Sequence, residues 1–368
     1  MYNRKHLHTF HIPVMGTSFT IDSPIRVAKY GIAAVISIGD DELCENMHQY
    51  YSKQYNLEYS PIEKFEEDYR ARRITAYLNC VQEIVNIEFE KVKNSDFSET
   101  SELTKYFEML PETSPLKERY AKACQATGEE KVKLEKWCRD SMHPGPIEVN
   151  IMTKLDKDNY SKDGELLGPE YADTLSALRG YAKSNLEDSA IVFSAGFNRR
   201  LYSHLSNYED FFADSDGQIK KKIVIKVSDY RSAVTQGKFI AKKGIWVSEY
   251  RIESGLNCGG HCFPAEGSLL GPILEEFKEN KQTLQEMLFP VLETTLEKLT
   301  RIKPRIPLTF DVTVQGGIGN HEEDQFLFTH YNVDRTGWGT PFLLVPEATV
   351  VDFSTRKKLE AAEEKDLY

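Results

Sequence analysis

The chain has 368 residues and a mass of 42.2 kDa, enough for one large barrel domain with an added segment or for two ordinary domains. Its formal net charge of −11 weighs against a nucleic-acid-binding protein, and it has no apolar run long enough to cross a bilayer. The six cysteines are too sparse for a disulfide framework and the first residues lack a secretion signal, so we expect a cytoplasmic protein with no membrane or nucleic-acid partner.

The chain begins with a predicted βαβ unit. Residues 11–16 predict a first strand that ends in glycine, and Pro24 starts a short helix that Gly31 closes at its C′ position. Residues 32–38 are apolar on both faces, which is typical of a buried parallel strand.

Residues 40–146 depart from this alternation because they are charged and mainly helical in pattern. Ser60-Pro61-Ile62-Glu63 has the form of a capping box and predicts a helix start, and Ser114-Pro115 predicts another. We interpret this region as a large helical insertion between strands 2 and 3. We expect it to serve as a lid or as the surface of a homo-oligomer, rather than as a separate catalytic domain.

The alternation of strands and helices then resumes and continues almost to the end of the chain. A long helical segment over 268–301 is predicted to be interrupted near Pro290. The remaining strands are predicted at residues 147–152, 189–196, 222–228, 245–251, 309–315 and 336–348.

Eight strand candidates alternating with helices predict an α/β fold, a (β/α)8 TIM barrel formed by residues 1–39 and 147–353. The alternative is a doubly wound open sheet, which would carry its glycine-rich phosphate loop after the first strand. Residues 354–368 predict a helical tail and leave open a further segment beyond it.

Two late glycine-containing stretches are candidates for a phosphate site. Gly316-Gly-Ile-Gly319 follows the seventh predicted strand, and Gly339-Thr340 lies within the eighth. Glycines at the end of a strand leave backbone N–H groups accessible, and the loops after strands 7 and 8 are the usual place for a phosphate in such a barrel. The alternative is a tight strand-to-helix turn with no ligand.

Four motifs in chain order resemble the flavin-dependent nitronate monooxygenases, once called 2-nitropropane dioxygenases, and the related FMN-type enoyl-acyl-carrier-protein reductase. The motifs are Pro13-Val-Met-Gly16, Cys258-Gly-Gly-His261, Gly316-Gly-Ile-Gly319 and Gly339-Thr-Pro-Phe-Leu-Leu-Val-Pro-Glu-Ala348. Cys258 stands where the family usually has alanine, and the loop before these glycines is longer here. Because the differences lie where a substrate would be held, the resemblance supports cofactor binding more than substrate identity.

The resemblance implies that FMN binds at the carboxyl-terminal mouth of the barrel. Its phosphate would contact the backbone of Gly316, Gly317, Gly339 and Thr340, while Met15, Gly16 and Asn150 would lie near the ring. Thr17, which directly follows the first motif, and Gly259 and Gly260, which belong to the second, are included as cofactor-binding residues.

Lys226, in the fifth predicted strand, is a candidate on physical grounds alone. A cation near the flavin N1–O2 edge would stabilise the anionic reduced ring. The alternative is an inward-pointing barrel lysine paired with a carboxylate.

His261 matches the active-site histidine of the family and is the predicted catalytic residue. An imidazole can take the α-proton of a nitroalkane or, when protonated, stabilise a bound nitronate. A metal site is not expected here, because Cys258, His261 and Cys262 lack the spaced pairs of a structural zinc site.

The resemblance therefore implies an FMN-dependent oxidoreductase, a monooxygenase that oxidises a small-molecule carbanion such as an alkyl nitronate with dioxygen. One alternative is an FMN-dependent enoyl-thioester reductase that uses NAD(P)H. Another is a non-catalytic barrel that serves as a binding or scaffold module. The substrate, the electron acceptor and the oligomeric state do not follow from the sequence.

Overall fold

The computed structural model describes residues 6–16, 18–153, 156–194, 196–253, 270–363 and 366. Within these ranges eight parallel strands follow one another in chain order and close into a barrel, because the last strand pairs with the first. Phe10 pairs with Thr336 and His11 with Gly337 at the closure. The predicted closed parallel barrel is confirmed, and the open-sheet alternative is wrong.

The strands lie at the following positions: β1 Phe10–Ile12, β2 Ala33–Ser37, β3 Ile147–Met152, β4 Ser189–Ser194, β5 Lys221–Val227, β6 Glu249–Glu253, β7 Asp311–Gln315 and β8 Arg335–Gly337. The helices are α1 Ser23–Val27, α2 Asp41–Tyr55, α3 Tyr69–Asn94, α4 Glu102–Glu108, α5 Pro115–Gln125, α6 Gly128–Ser141, α7 Asp173–Lys183, α8 Arg199–His204, α9 Tyr230–Ala241, α10 Leu270–Lys298, α11 His321–Tyr331, α12 Thr340–Leu343 and α13 Phe353–Glu360.

Several predicted boundaries are confirmed by the structure. Gly31 closes the first helical segment in the left-handed conformation, with φ of 79°. Pro115 is the first residue of α5 and Ser114 is its N-cap residue. The tail is helical in α13, which begins at Phe353 after the N-cap residue Asp352.

The predicted helix start at Ser60 is wrong, because α3 begins only at Tyr69. The Glu66 side chain accepts the N–H of Glu63 at 2.9 Å, and Phe65 and Asp68 have positive φ values of 73° and 52°. The segment before α3 is therefore an irregular loop whose local side-chain hydrogen bonds compete with a helix.

The predicted eighth strand is also wrong in position. Strand β8 covers only Arg335–Gly337, and the apolar residues that follow form the short helix α12. Strand β6 likewise begins at Glu249 rather than at residue 245. The predicted interruption of the long helix near Pro290 does not occur, since α10 continues through this residue.

Helices α2 to α6 all lie between β2 and β3 in the chain. Helix α3 packs against α2 and α7 in the ring around the barrel. Helices α4 to α6 share a separate core with the end of α3, and Leu7 and Tyr30 pack against it. Because these two residues precede β1 and β2, α4 to α6 lie at the amino-terminal end of the barrel, opposite the mouth. This position does not support a lid.

Candidate functional site

The floor of the barrel interior is ionic, which is unusual because such interiors are mostly filled by Val, Ile and Leu. Arg251 is fully buried and donates to Glu249 at 2.7 Å and to Glu148 at 2.9 Å. Arg335 donates to the same two carboxylates, at 2.5 Å to Glu249 and 3.3 Å to Glu148. Two cations and two anions thus compensate each other inside the barrel.

The charges and the burial of this ionic layer shift the pKa values of the titratable side chains in and beside it. Burial alone would raise the pKa of the Glu249 carboxyl, but Arg251 and Arg335 hold that pKa well below its usual value. Burial, followed by the same two guanidinium groups, lowers the pKa of His11 well below its usual value, so this imidazole is neutral. Burial and the nearby Glu249 raise the pKa of Asp311 to about 6.

Above the floor, towards the carboxyl ends of the strands, the interior contains neutral polar side chains. Ser37 and Asn150 are paired neighbours on β2 and β3. Thr313 on β7 lies lower, in the floor itself, because it pairs with both Arg251 and Arg335. The Ser37 Oγ, Asn150 Oδ1 and Thr313 Oγ1 atoms are buried without a hydrogen-bond partner among the described residues. Buried polar atoms are nearly always satisfied, so these three atoms require a further partner such as a ligand or water.

Lys226 and Glu253 form an ion pair at the mouth. Their nitrogen and oxygen are 2.8 Å apart, and both side chains are about one-tenth exposed. Gln315 also donates to Glu253, and the Gln315 amide oxygen lies 3.4 Å from His11 Nε2. Of the two interpretations given for Lys226, the structure displays the inward-pointing lysine paired with a carboxylate.

A cavity of about 490 Å³ opens at the mouth between β5, β6 and the first turns of α9. Lys226 and Glu253 line it on the strand side, and Phe197 and Gln236 contribute further walls. The volume lies within the range of small-molecule sites. The mouth therefore combines a buried ion pair with space for a ligand of modest size.

The two glycine turns lie next to each other at the mouth. The Gly316 N–H donates to the Gly337 carbonyl at 3.1 Å, which joins the ends of β7 and β8. Gly316 and Gly317 have φ values of 82° and 71°, a conformation that favours glycine. The Gly339 carbonyl accepts the N–H of Phe342 in the first turn of α12, where Thr340 is the first residue.

The backbone N–H of Gly319, the third glycine of the Gly316–Gly319 motif, already donates a hydrogen bond. The Gly319 N–H donates to Glu323 Oε2 at 2.7 Å, and Asn320 caps α11 by accepting the N–H of Glu323. The first turn of α11 contains Glu322, Glu323 and Asp324. A phosphate would be repelled by these carboxylates, so the space nearer to Gly316 and Gly317 is the better one for an anion.

Met15 and Gly16 follow β1 at the same end of the barrel. The Met15 side chain is buried with Ile12, Ala34 and Ala348, so it is committed to core packing. Gly16 has φ of 115°, which a residue with a side chain rarely adopts. Only the backbone of this turn is thus available to a ligand.

Four of the predicted site residues lie in segments that the structure does not describe. Thr17, Gly259, Gly260 and the predicted catalytic His261 lie outside the described residues. The flanking elements are described, since β6 ends at Glu253 and α10 begins at Leu270.

Sequence reasoning missed most of the interior side chains. Glu249, Arg251 and Glu253 alternate along β6, and Asp311, Thr313 and Gln315 alternate along β7. Charged or polar residues at every second position of a buried parallel strand indicate a polar barrel interior. This alternation along β6 and β7 is the sequence signal that indicates the polar interior.

Comparisons with known proteins identify no family for this chain. No protein-family model matches the chain, and no curated protein matches it. None of the described helices is both long enough and apolar enough to span a membrane. Within the described ranges, no three His, Cys, Asp or Glu side chains are grouped so that they could hold a metal ion.

Proposed function

We propose that the protein is an FMN-dependent oxidoreductase that resembles the nitronate monooxygenases and oxidises a small, stabilised carbanion such as an alkyl nitronate with dioxygen. The observation that carries this proposal is the hydrogen bond of 3.1 Å between Gly316 and Gly337, which brings the two glycine turns together at the ends of β7 and β8. This is the usual phosphate position in (β/α)8 barrels.

The residues present fit FMN at two places. Gly317, Gly339 and Thr340 would hold the phosphate through backbone N–H groups, and no side chain of the glycines obstructs approach. Gly316 would only line this space, because its own N–H donates to the Gly337 carbonyl. The unpartnered Oδ1 of Asn150 would accept a hydrogen bond from the ring. When bound, FMN would supply the electron acceptor for the carbanion and the reactivity with dioxygen.

The chain's own residues would control charge and protons around the substrate. His261 would take the α-proton or hold the negative charge of a nitronate, as the family resemblance implies. Lys226 would present its ammonium group to a bound anion while Glu253, held in turn by Gln315, fixes its position. His11 below this pair is neutral, so the cations that line the mouth cavity among the described residues are Lys226 and Arg231.

We also infer that residues 40–146 contain an insertion relative to a plain barrel. Helix α3 would take the ring position between β2 and β3, since it packs against α7. Helices α4 to α6 would then be the added part. Their place near Leu7 and Tyr30 favours the surface of a homo-oligomer over a lid.

An absorbance spectrum of the purified protein tests the cofactor. We expect a yellow protein that releases FMN on denaturation and consumes oxygen when an alkyl nitronate is added. A colourless protein that does not take up added FMN would remove the proposal.

A histidine substitution separates catalysis from binding. We expect His261→Ala to retain FMN and lose nitronate turnover, while the control His330→Ala, at an exposed position on α11, retains both. Unchanged turnover in His261→Ala would remove the catalytic role of this residue. NAD(P)H oxidation that depends on an enoyl thioester would instead identify the reductase alternative, and FMN-free protein without turnover would favour the scaffold alternative.

A further inference from the structure

A second and larger cavity, of about 710 Å³, lies at the amino-terminal end of the barrel, opposite the glycine turns. We call it the basal cavity. Its floor is formed by His6 and Lys222, and its walls by α3, the segment leading to β3 and the segment leading to β4. Its position follows from Ile147 and Lys222, which line it and lie at the starts of β3 and β5.

The floor carries a cation that none of the described residues neutralises. Lys222 is half-buried and makes no ion pair or hydrogen bond with the described residues, although the two lysines before it do. Lys220 pairs with Asp210, and Lys221 donates to the carbonyls of Ala182 and Ser184 at 2.6 and 2.7 Å. A half-buried ammonium without a partner favours an anionic ligand.

A hydrogen-bond donor lies beside this cation. The His6 Nδ1 atom is 3.0 Å from the Arg335 guanidinium, which can only donate, so Nδ1 accepts and Nε2 bears the proton. Burial, followed by the charge of Arg335, keeps the pKa of His6 well below its usual value. The floor of the basal cavity thus offers an ammonium group and a neutral N–H donor.

The wall opposite carries the complementary charge. The polar face of α3 presents Glu83, between the carboxamides of Asn79 and Asn86, and Glu90. Glu187 and Asp188 line the cavity from the segment before β4. Glu83 and Glu187 make no ion pair with the described residues. The cavity lining therefore combines the Lys222 ammonium group at the start of β5 with carboxylates from α3 and from the segment before β4.

The walls are held in place without a ligand. Asn185 donates its N–H to Asn79 Oδ1 at 2.7 Å, which ties the segment before β4 to α3. Gly145 donates to the Ala28 carbonyl at 2.7 Å, and Tyr106 donates to the His143 carbonyl at 3.0 Å. A preformed cavity loses little conformational entropy when it binds a ligand.

We propose that the basal cavity binds a zwitterionic small molecule of amino-acid or dipeptide size. Its carboxylate would contact the ammonium group of Lys222 and the Nε2–H of His6. Its ammonium group would contact Glu83 and Glu187, and the carboxamides of α3 would bind the peptide or side-chain polar groups. The volume lies in the range of small-molecule sites, and the proposal is independent of FMN.

Isothermal titration of the purified full-length chain with glycylglycine tests this proposal, with two ligands as controls. N-acetylglycine keeps the carboxylate and lacks the cation, and glycinamide keeps the cation and lacks the carboxylate. We expect saturable binding of glycylglycine and binding at least about tenfold weaker for each control ligand, since each lacks one charge-assisted contact. Absence of glycylglycine binding at millimolar concentrations, or equal binding of all three ligands, would overturn the proposal.

Variants locate the binding. We expect Lys222→Met and Glu83→Gln each to weaken glycylglycine binding about tenfold or more, while Lys222→Arg and the neighbouring control Lys220→Met bind as the parent does. Glu83 lies on an exposed helix face, so Glu83→Gln remains informative if Lys222→Met does not fold. Unchanged affinity in folded Lys222→Met or in Glu83→Gln would place the ligand elsewhere and overturn the proposal.

Discussion

Arg251 compensates buried negative charge inside the barrel. Its side chain is fully buried and joins Glu249 on its own strand to Glu148 on β3. Arg335 completes the layer from β8. An ion pair of this kind contributes little net stability compared with apolar packing, but removal of one partner leaves a buried charge without compensation.

We therefore expect Arg251→Met to destabilise the protein by about 3 to 5 kcal/mol, because Glu148 and Glu249 would keep only Arg335 as a shared cation and one buried negative charge would lack compensation. The control is Arg305→Met, which removes a pair with Asp216 in which both side chains are more than two-thirds exposed. It should cost less than about 1 kcal/mol. Urea unfolding monitored by circular dichroism measures both, and similar losses in the two variants would contradict the argument.

Asp311 gives the interior a pH dependence. Its pKa of about 6 in the folded protein exceeds the ordinary aspartate value of 3.8, chiefly because of burial and then because of Glu249. The folded state thus binds a proton more tightly than the unfolded state, and this contribution to stability is lost as the pH rises through the window from about 4 to 6. Above this window the charged carboxylate destabilises the fold.

We expect Asp311→Asn to raise the free energy of unfolding at pH 7.5 by roughly 1 to 3 kcal/mol relative to the parent, and to give no gain at pH 4. The two values come from urea unfolding at each pH. An equal gain at both pH values would mean that the charge of Asp311 is not the cause.

Among the elements, β8 and α12 show why the sequence predicted the barrel but misplaced its last strand. The inward positions of β8 are Arg335 and Gly337, so this strand has no apolar signature. A Cβ atom on Gly337 would lie 2.6 Å from the Gln315 Cβ and 2.7 Å from the His11 ring, which requires glycine there. Periodicity alone cannot distinguish a short apolar helix from a strand, so the apolar residues of α12 predict a strand where the structure has a helix.

Helix α10 shows a different limit of sequence reasoning. Pro290 lies inside this helix of 29 residues and lacks the N–H that would bond to the carbonyl of Glu286. Both residues lie on the exposed face, where water can satisfy that carbonyl. The buried leucines on the opposite face, Leu284, Leu288 and Leu292, keep the helix continuous.

We expect Pro290→Ala to stabilise the protein by roughly 1 to 3 kcal/mol, because the helix regains a hydrogen bond and loses a steric conflict. Glu279→Ala, at an exposed position of the same helix, is the control and should change stability by less than about 0.5 kcal/mol. Thermal and urea unfolding measure both variants. A loss of stability in Pro290→Ala would show that the helix is built around the proline.

On the scale of the whole molecule, the order of the barrel could be predicted because strands and helices alternate along the chain. The polar interior could not, because its contacts join distant residues: Glu148 lies 103 positions from Arg251 and 187 from Arg335. The end of the barrel at which α4 to α6 lie was also beyond the sequence. It depends on the packing of Leu7 and Tyr30, which carry no motif.

We therefore expect FMN to affect amide hydrogen exchange differently at the two ends of the barrel. If FMN binds at the mouth, adding it to the FMN-stripped protein should slow amide exchange in residues 315–319 and 337–340, at the ends of β7 and β8. It should leave α4 to α6 unchanged, since their core is formed with the end of α3 and with residues before β1 and β2. Mass spectrometry of peptides from both regions measures this within one sample. Helices remote from the ligand have no contact through which FMN binding could stabilise them. Protection of α4 to α6 by FMN would therefore contradict their position at the amino-terminal end of the barrel and favour the lid interpretation.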